Sequence, residues 1–113
     1  MPFIEIKTDK KITKELEAAL VRDFGQAIET FSGKTEKYLM VNIEGECGMA
    51  FAGVIGDCCM VSVDLLGSAT PEAYEKMTKV TCTLISRVLG IPEDRVYVKY
   101  SEYETWGWNG INF

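Results

Sequence analysis

The chain of 113 residues contains no histidine. Histidine is the side chain that most often acts as a general base near neutral pH, so acid–base chemistry here needs another group. The sequence has four cysteines: Cys47, Cys58, Cys59 and Cys82. None of them belongs to a C-x-x-C pair, and without histidine they indicate neither a thioredoxin-like motif nor a Cys/His zinc site. We therefore expect reduced thiols, no metal and no cofactor.

Long apolar runs and an excess of basic residues are also missing. No stretch approaches the roughly 20 consecutive apolar residues that span a bilayer, and the first residues lack a basic segment followed by an apolar one. The net charge of −5 opposes a phosphate-binding surface. We expect no membrane insertion, no nucleic-acid partner and a cytoplasmic location, with secretion by a route without a signal peptide left open.

The two halves of the chain repeat. With 47% hydrophobic residues, the length suits one domain over 1–113. An offset of 57 residues pairs Thr13 with Thr70 and Gly33 with Gly90. Threonine is a preferred N-cap and glycine a preferred helix stop, so each half, about 2–57 and 59–113, has the signals of a helix at the same place.

The helices and strands follow the repeat. Apolar residues spaced by three and four predict a first helix over 14–32, and Thr70-Pro71-Glu72 predicts the start of a second helix that ends at Gly90. The predicted strands that frame the helices are 2–7, 38–43, 58–66 and 95–100. Each half is then a β-α-β unit with parallel strands, which predicts an α/β fold: a four-stranded mixed sheet with two helices on one face. Short additional strands are expected at 49–51 and in the tail 106–113.

Residues 38–41 are apolar at both strand parities. Two helices cover only one face of a four-stranded sheet, so these residues need a second covering surface. Closed symmetric homo-oligomers are the commonest way to supply one. We expect self-association through sheet edges and faces.

The segment MPFIEIKTD begins a strand with Pro2, which has no N–H for a strand ladder. Removal of Met1, which we expect because proline is small enough for the methionine aminopeptidase, turns Pro2 into a free secondary amine. An α-amino group has a pKa near 8, and an apolar or cationic setting lowers it, which makes a base poised near neutrality. The alternative is that proline here only marks a strand edge.

Six segments occur in order along the chain: MPFI, GKTEKYLMV, MAFAG, LLG, DRVYVKY and GWNGINF. Together they resemble the macrophage migration inhibitory factor family of the tautomerase superfamily. The resemblance implies a tautomerase fold, a homotrimer with sites at subunit interfaces, and keto–enol tautomerisation of phenylpyruvate-like α-keto acids, with dopachrome as a further substrate type. It also implies an alternative, a cytokine-like ligand whose pocket is a recognition surface for a receptor.

The resemblance assigns roles by position. Pro2 matches the catalytic base, Lys34 the cation that binds the substrate carboxylate, and Leu66 a position whose backbone N–H bonds the substrate. The aromatic positions that line the pocket are matched by Tyr38, Tyr97, Trp108 and Phe113, with Tyr97 supplied by a neighbouring subunit. For Lys34 the alternative is an ordinary solvated lysine, and for Tyr38 and Phe113 it is core or interface packing.

Three departures from the family pattern affect these expectations. Lys99 stands where many relatives carry asparagine, so a second cation is expected near the pocket if this side chain points inward. Val61 replaces the second cysteine of a C-x-x-C present in some relatives, so no thiol–disulfide activity is carried over. The tail is two residues shorter before Gly107, which predicts a reshaped pocket mouth.

Overall fold

The computed structural model describes residues 1–113. The two α-helices are α1 (Lys14–Ala27) and α2 (Pro71–Leu89). The strands are β1 (Pro2–Thr8), β2 (Met40–Glu44), β3 (Ala50–Phe51), β4 (Val54–Ile55), β5 (Cys59–Leu66), β6 (Val96–Tyr103), β7 (Gly107–Trp108) and β8 (Ile111–Asn112). Neither α-helix has the length and apolar composition that a membrane crossing requires.

Four strands form one mixed sheet in the order β2-β1-β5-β6. β1 is parallel to β2 and antiparallel to β5, and β5 is parallel to β6. Each parallel pair is joined through a helix, so the chain is two β-α-β units side by side, which confirms the predicted α/β fold.

One face of the sheet and both helices share the core. Alternate side chains of β1 and β5 are buried, because successive residues of a strand point to opposite faces. The largest fully buried side chains include Ile4, Ile6, Val61 and Val63 from the strands and Leu20, Phe24, Met77 and Ile85 from the helices. The opposite parity carries both polar and apolar residues; Glu5, Ser62 and Lys99 lie across from one another there.

Both helices start where predicted, whereas the first helix is shorter than predicted. Thr13 Oγ1 accepts from the Leu16 N–H at 3.2 Å, and Thr70 Oγ1 accepts from the Ala73 N–H at 3.1 Å. The predicted helix 14–32 ends at Ala27 and continues as a 3₁₀ turn, Ile28–Thr30. The β-branched residues of this turn have low helix propensity, and helices commonly tighten into 3₁₀ geometry at their C-termini.

All four predicted strands exist with shifted bounds, by one residue for 2–7, which is Pro2–Thr8, and for 58–66, which is Cys59–Leu66. The other two differ more. The strand expected at 38–43 is Met40–Glu44, because Tyr38 belongs to a 3₁₀ turn, Glu36–Tyr38. The strand expected at 95–100 runs to Tyr103, since β5 offers it a partner as far as Leu66.

The two short strand regions form hairpins outside the main sheet. The strand expected at 49–51 is β3, which pairs with β4, and the tail forms its own hairpin from β7 and β8. Asn109 and Gly110 in the tail turn have φ of 51° and 78°. Asn-Gly is the pair favoured for two-residue turns of this kind, because both residues tolerate positive φ.

Arg95 holds the β3-β4 hairpin in place. Its Nε donates to the Asp57 carbonyl at 2.6 Å, and its Nη2 donates to the Gly56 and Val54 carbonyls at 2.8 and 3.1 Å. Its Nη1 also donates to the Phe51 carbonyl at 3.3 Å. The planar guanidinium carries five donors in a fixed fork, so one side chain satisfies four carbonyls of a hairpin that has only two strand pairs of its own.

We predict that Arg95→Lys loosens this hairpin, because an ammonium cannot reach all four carbonyls. Hydrogen bonds from charged donors contribute roughly 1.5–3 kcal/mol each, so we expect the unfolding free energy to fall by about 2 kcal/mol. The Gly56 N–H, which donates to the Met49 carbonyl at 2.8 Å, should exchange faster with solvent. Arg22→Lys is the matched control, since the Arg22 guanidinium bonds only Asp23. Equal Gly56 exchange in the two variants would contradict this role.

Candidate active site

A cavity of about 430 Å³ lies where the chain begins. Three segments line it: residues 1–3, residues 37–40 and residues 106–108. Aromatic and aliphatic side chains predominate, and Lys37 is the only charged residue among them. An apolar cavity with few polar groups is typical of a site for a small organic molecule.

Sheet register brings these distant segments together. β1 and β2 are parallel, so their N-terminal ends lie at the same end of the sheet, with Phe3 opposite Met40. β5 is antiparallel to β1, so its C-terminal end lies at that end of the sheet too, with Leu65 opposite Pro2. The turn before β2, the end of β5 and the N-terminus therefore converge.

Leu66 links the N-terminus to Lys34. Its N–H donates to the Met1 carbonyl at 3.2 Å, and its own carbonyl accepts from Lys34 Nζ at 3.1 Å. Lys34 follows Gly33, whose φ of 78° reverses the chain direction after the first helical segment. The Lys34 N–H donates to the Phe31 carbonyl at 3.0 Å, which fixes the backbone of this turn.

The terminal amine lies in a setting that disfavours its charged form. Burial lowers the pKa of the Met1 amine below its usual value, and the Lys34 ammonium lowers this pKa further through charge repulsion and a hydrogen bond. While Met1 is attached, the Pro2 nitrogen is an amide and accepts no proton. Removal of Met1 both makes Pro2 the terminal amine and frees the Leu66 N–H, because the carbonyl that accepts from it leaves with Met1.

Three of the predicted aromatic residues form one cluster at the cavity. Tyr38 meets Trp108 edge to face, with ring centroids 5.6 Å apart, and Phe113 stacks on Trp108 at 6.1 Å. Tyr38, Trp108 and Phe113 remain 42–50% exposed, so the wall that they form is open to a ligand. Phe113 and Leu66 themselves line a second cavity, of about 510 Å³, and not the cavity at the N-terminus.

Tyr97 and Lys99 lie apart from this cavity. The register sets Pro2 level with Glu102 of β6 through Leu65, five residues from Tyr97 and three from Lys99. At about 3.3 Å per residue, these offsets are about 17 and 10 Å along the strands. The Tyr97 ring instead packs against Phe51, with centroids 4.9 Å apart, and is 58% exposed. Within one chain, neither side chain lines the cavity that begins at Pro2.

Of the residues that line the cavity, the sequence predicted only Pro2, Tyr38 and Trp108. Two polar or aromatic residues are among those it missed: Lys37, whose Nζ is 5.3 Å from the centroid of the Tyr38 ring, and Trp106, which directly precedes the β7-β8 hairpin. Lys37 directly precedes a predicted pocket residue, and Trp106 stands two positions before another. Their proximity to Tyr38 and Trp108 was therefore the available signal.

The cysteines offer no reactive thiol at this site. All four are free, and Cys58 and Cys59 are each only 3% exposed. Burial raises the pKa of Cys59 to about 12, so its nucleophilic thiolate form is scarce at neutral pH.

Comparison with known proteins gives a consistent result. The family model described as macrophage migration inhibitory factor (MIF) matches residues 1–113. The chain is 28% identical to macrophage migration inhibitory factor of Rattus norvegicus, over 100% of this chain and 99% of that protein. The crystal structure of Leishmania major MIF2 is similar at a TM-score of 0.93 and 28% identity, covering 100% and 97% of the two chains. The structure of Pt0534 inactivated by 2-oxo-3-pentynoate has the same fold, at a TM-score of 0.84 and 19% identity, with coverage of 96% and 94%.

We predict that Lys34→Gln raises the pKa of the Pro2 amine in chains that lack Met1. The positive charge of Lys34 disfavours a second positive charge beside it, so removal of that charge favours the protonated amine. An NMR titration of the Pro2 ring protons measures this pKa directly. Lys11→Gln is the control, because Lys11 lies outside the cavity and takes part in no ion pair. The same Pro2 pKa in both variants would refute the electrostatic role of Lys34.

Proposed function

Because the chain belongs to the macrophage migration inhibitory factor (MIF) family, we propose that it is a keto–enol tautomerase of phenylpyruvate-like α-keto acids, with Pro2 as the general base. The observation that carries this proposal is the environment of the terminal amine. Burial and the Lys34 ammonium lower the pKa of the Met1 amine, one residue before Pro2 at an apolar cavity, and we expect the same surroundings to act on the Pro2 amine once Met1 is removed. A lowered pKa leaves more of the amine neutral near pH 7, which is the form that a base requires.

The reaction moves one proton and needs no redox partner. Lys34 binds the substrate carboxylate, and the substrate ring lies against Tyr38 and Trp108. The neutral Pro2 nitrogen takes a proton from the carbon next to the ketone. The electron pair of that C–H bond forms a C=C bond, and the π electrons of the C=O bond move to the oxygen. The Leu66 N–H, free after Met1 is removed, stabilises this oxygen while it carries negative charge. Pro2 then returns the proton to the oxygen, which completes the enol.

The α-keto acid class agrees with the reagent that inactivated a protein of this fold. Pt0534 was inactivated by 2-oxo-3-pentynoate, which is itself an α-keto acid. Lys34 supplies the charge that such a carboxylate requires, and the open aromatic wall suits a ring at the other end of the substrate.

We further propose a homotrimer in which Tyr97 of a neighbouring subunit completes each cavity. Tyr97 lies far along the sheet from Pro2 of its own chain and is 58% exposed. Met40, on the edge strand β2 beside the cavity, is 68% exposed, and Ile55 of the hairpin is 88% exposed. Apolar side chains on a sheet edge and a hairpin are suited to contacts between copies of the chain.

We predict that Pro2→Gly lowers kcat/KM for phenylpyruvate tautomerisation about 100-fold, since a positioned general base contributes roughly 10²- to 10⁴-fold. Enol absorbance follows the reaction, and an intact mass establishes that Met1 is absent from both samples. Wild-type protein that retains Met1 should be inactive, although its side chains are unchanged. Equal rates for wild type and Pro2→Gly would exclude Pro2 as the base.

Labelling by 2-oxo-3-pentynoate gives a second readout of the same base. The reagent should modify the N-terminal peptide of chains that begin at Pro2 and spare the same position in chains that retain Met1. A folded, Met1-free protein that neither reacts at Pro2 nor turns over phenylpyruvate would favour the alternative, a cytokine-like ligand for a receptor.

A further inference from the structure

Two lysines at the candidate active site have no acidic partner. The five ion pairs of the structure include neither Lys34 nor Lys37. Lys37 lines the cavity beside the Tyr38 ring, whereas Lys34 is outside the lining: its Nζ bonds the Leu66 carbonyl, and its charge acts on the Met1 amine at the cavity. The chain as a whole carries a net charge of −5, so two cations without acidic partners close to the N-terminus run against its overall composition.

The nearest acidic residue along the chain does not neutralise Lys37. Glu36 precedes Lys37 directly, but its carboxylate packs against Gly25 of α1, where a side chain would collide with it. Glu36 is absent from the cavity lining, which contains no aspartate or glutamate. The short turn Glu36–Tyr38 therefore sends its acidic side chain to the helix and leaves its basic side chain at the cavity.

The two cations differ in what they can reach. In the proposed function, a substrate whose carboxylate is held at Lys34 has its aromatic ring along the wall formed by Tyr38 and Trp108, whose ring centroids are 5.6 Å apart. Lys37 Nζ is 5.3 Å from the centroid of the Tyr38 ring, so it borders the same wall. A substituent on the bound ring thus comes within reach of the flexible Lys37 side chain.

We propose that this cavity prefers aromatic α-keto acids with a second anionic group on the ring, and that Lys37 is the residue that selects them. The preference rests on the proposed function, because it assumes that the first carboxylate binds at Lys34. It adds a substrate class, ring-carboxylated arylpyruvates, and a specificity residue to that function. An exposed ion pair contributes modestly, so the expected preference is about 5-fold.

The test compares phenylpyruvate with 4-carboxyphenylpyruvate, using protein that lacks Met1. Wild type should have the lower KM for the carboxylated substrate, and high salt should narrow the difference because it screens exposed charges. Lys37→Gln should reduce the ratio of the two kcat/KM values about 5-fold. Glu36→Gln removes a neighbouring charge that faces away from the cavity, and Lys11→Gln removes a distant lysine, so both should leave this ratio unchanged. An unchanged ratio in Lys37→Gln, or the same change in Glu36→Gln, would overturn the assignment.

Binding of two compounds that cannot tautomerise separates this inference from the proposed function. Calorimetry should give tighter binding of 4-carboxycinnamate than of cinnamate, and Lys37→Gln should remove most of the difference. If phenylpyruvate is turned over and cinnamate binds but the second carboxylate has no effect, the selectivity is wrong and the tautomerase proposal stands. If the dicarboxylate binds through Lys37 while no α-keto acid is turned over, the binding preference stands and the tautomerase proposal fails. Binding of neither compound would overturn the preference.

Discussion

Strand β1 is paired on both sides, in parallel with β2 and antiparallel with β5. This double pairing fixes the position of the N-terminus in the fold. A terminal strand paired on one side frays easily, whereas a central strand is held by two neighbours. Pro2 has no N–H to donate, yet it sits at the end of the ladder opposite Leu65, where a missing donor costs little. Met1, directly before Pro2, thereby lies beside Leu66, with its terminal amine near Lys34. The position of the site is therefore set by the strand pairing of the sheet.

The electrostatics of the site follow from that placement. Burial disfavours the charged form of the Met1 amine, directly before β1, and Lys34 adds a repulsive charge. Lys34 is held by the Leu66 carbonyl, so the backbone of β5 positions the cation that acts on the amine. The backbone of Leu66 thus has two functions: its carbonyl orients Lys34, and its N–H donates to the Met1 carbonyl. One residue of β5 connects the proposed base to its electrostatic partner without using its side chain.

Much of the local structure could be predicted because it depends on neighbours in sequence. Thr13, Thr70 and Gly90 mark helix boundaries through hydrogen bonds and backbone conformations that span a few residues, and the structure has them where expected. The predicted strands 2–7 and 58–66 likewise agree with β1 and β5 to within one residue at each end. The predictions of where α1 ends and where β2 starts were less accurate. There the chain passes through 3₁₀ turns, and apolar periodicity does not distinguish these turns from a helix or a strand.

Local signals in the sequence were enough to predict the two β-α-β units, and the resemblance to a family named Pro2, Lys34 and Leu66. How those residues meet, and which others join them, depends on the tertiary structure. Lys37 and Trp106 line the cavity, whereas Lys99 and Tyr97 lie farther along the sheet. Caps and apolar periods are local, but this cavity combines residues 1–3, 37–40 and 106–108. Their approach is set by strand order and register, which long-range pairing establishes and no short stretch of sequence contains.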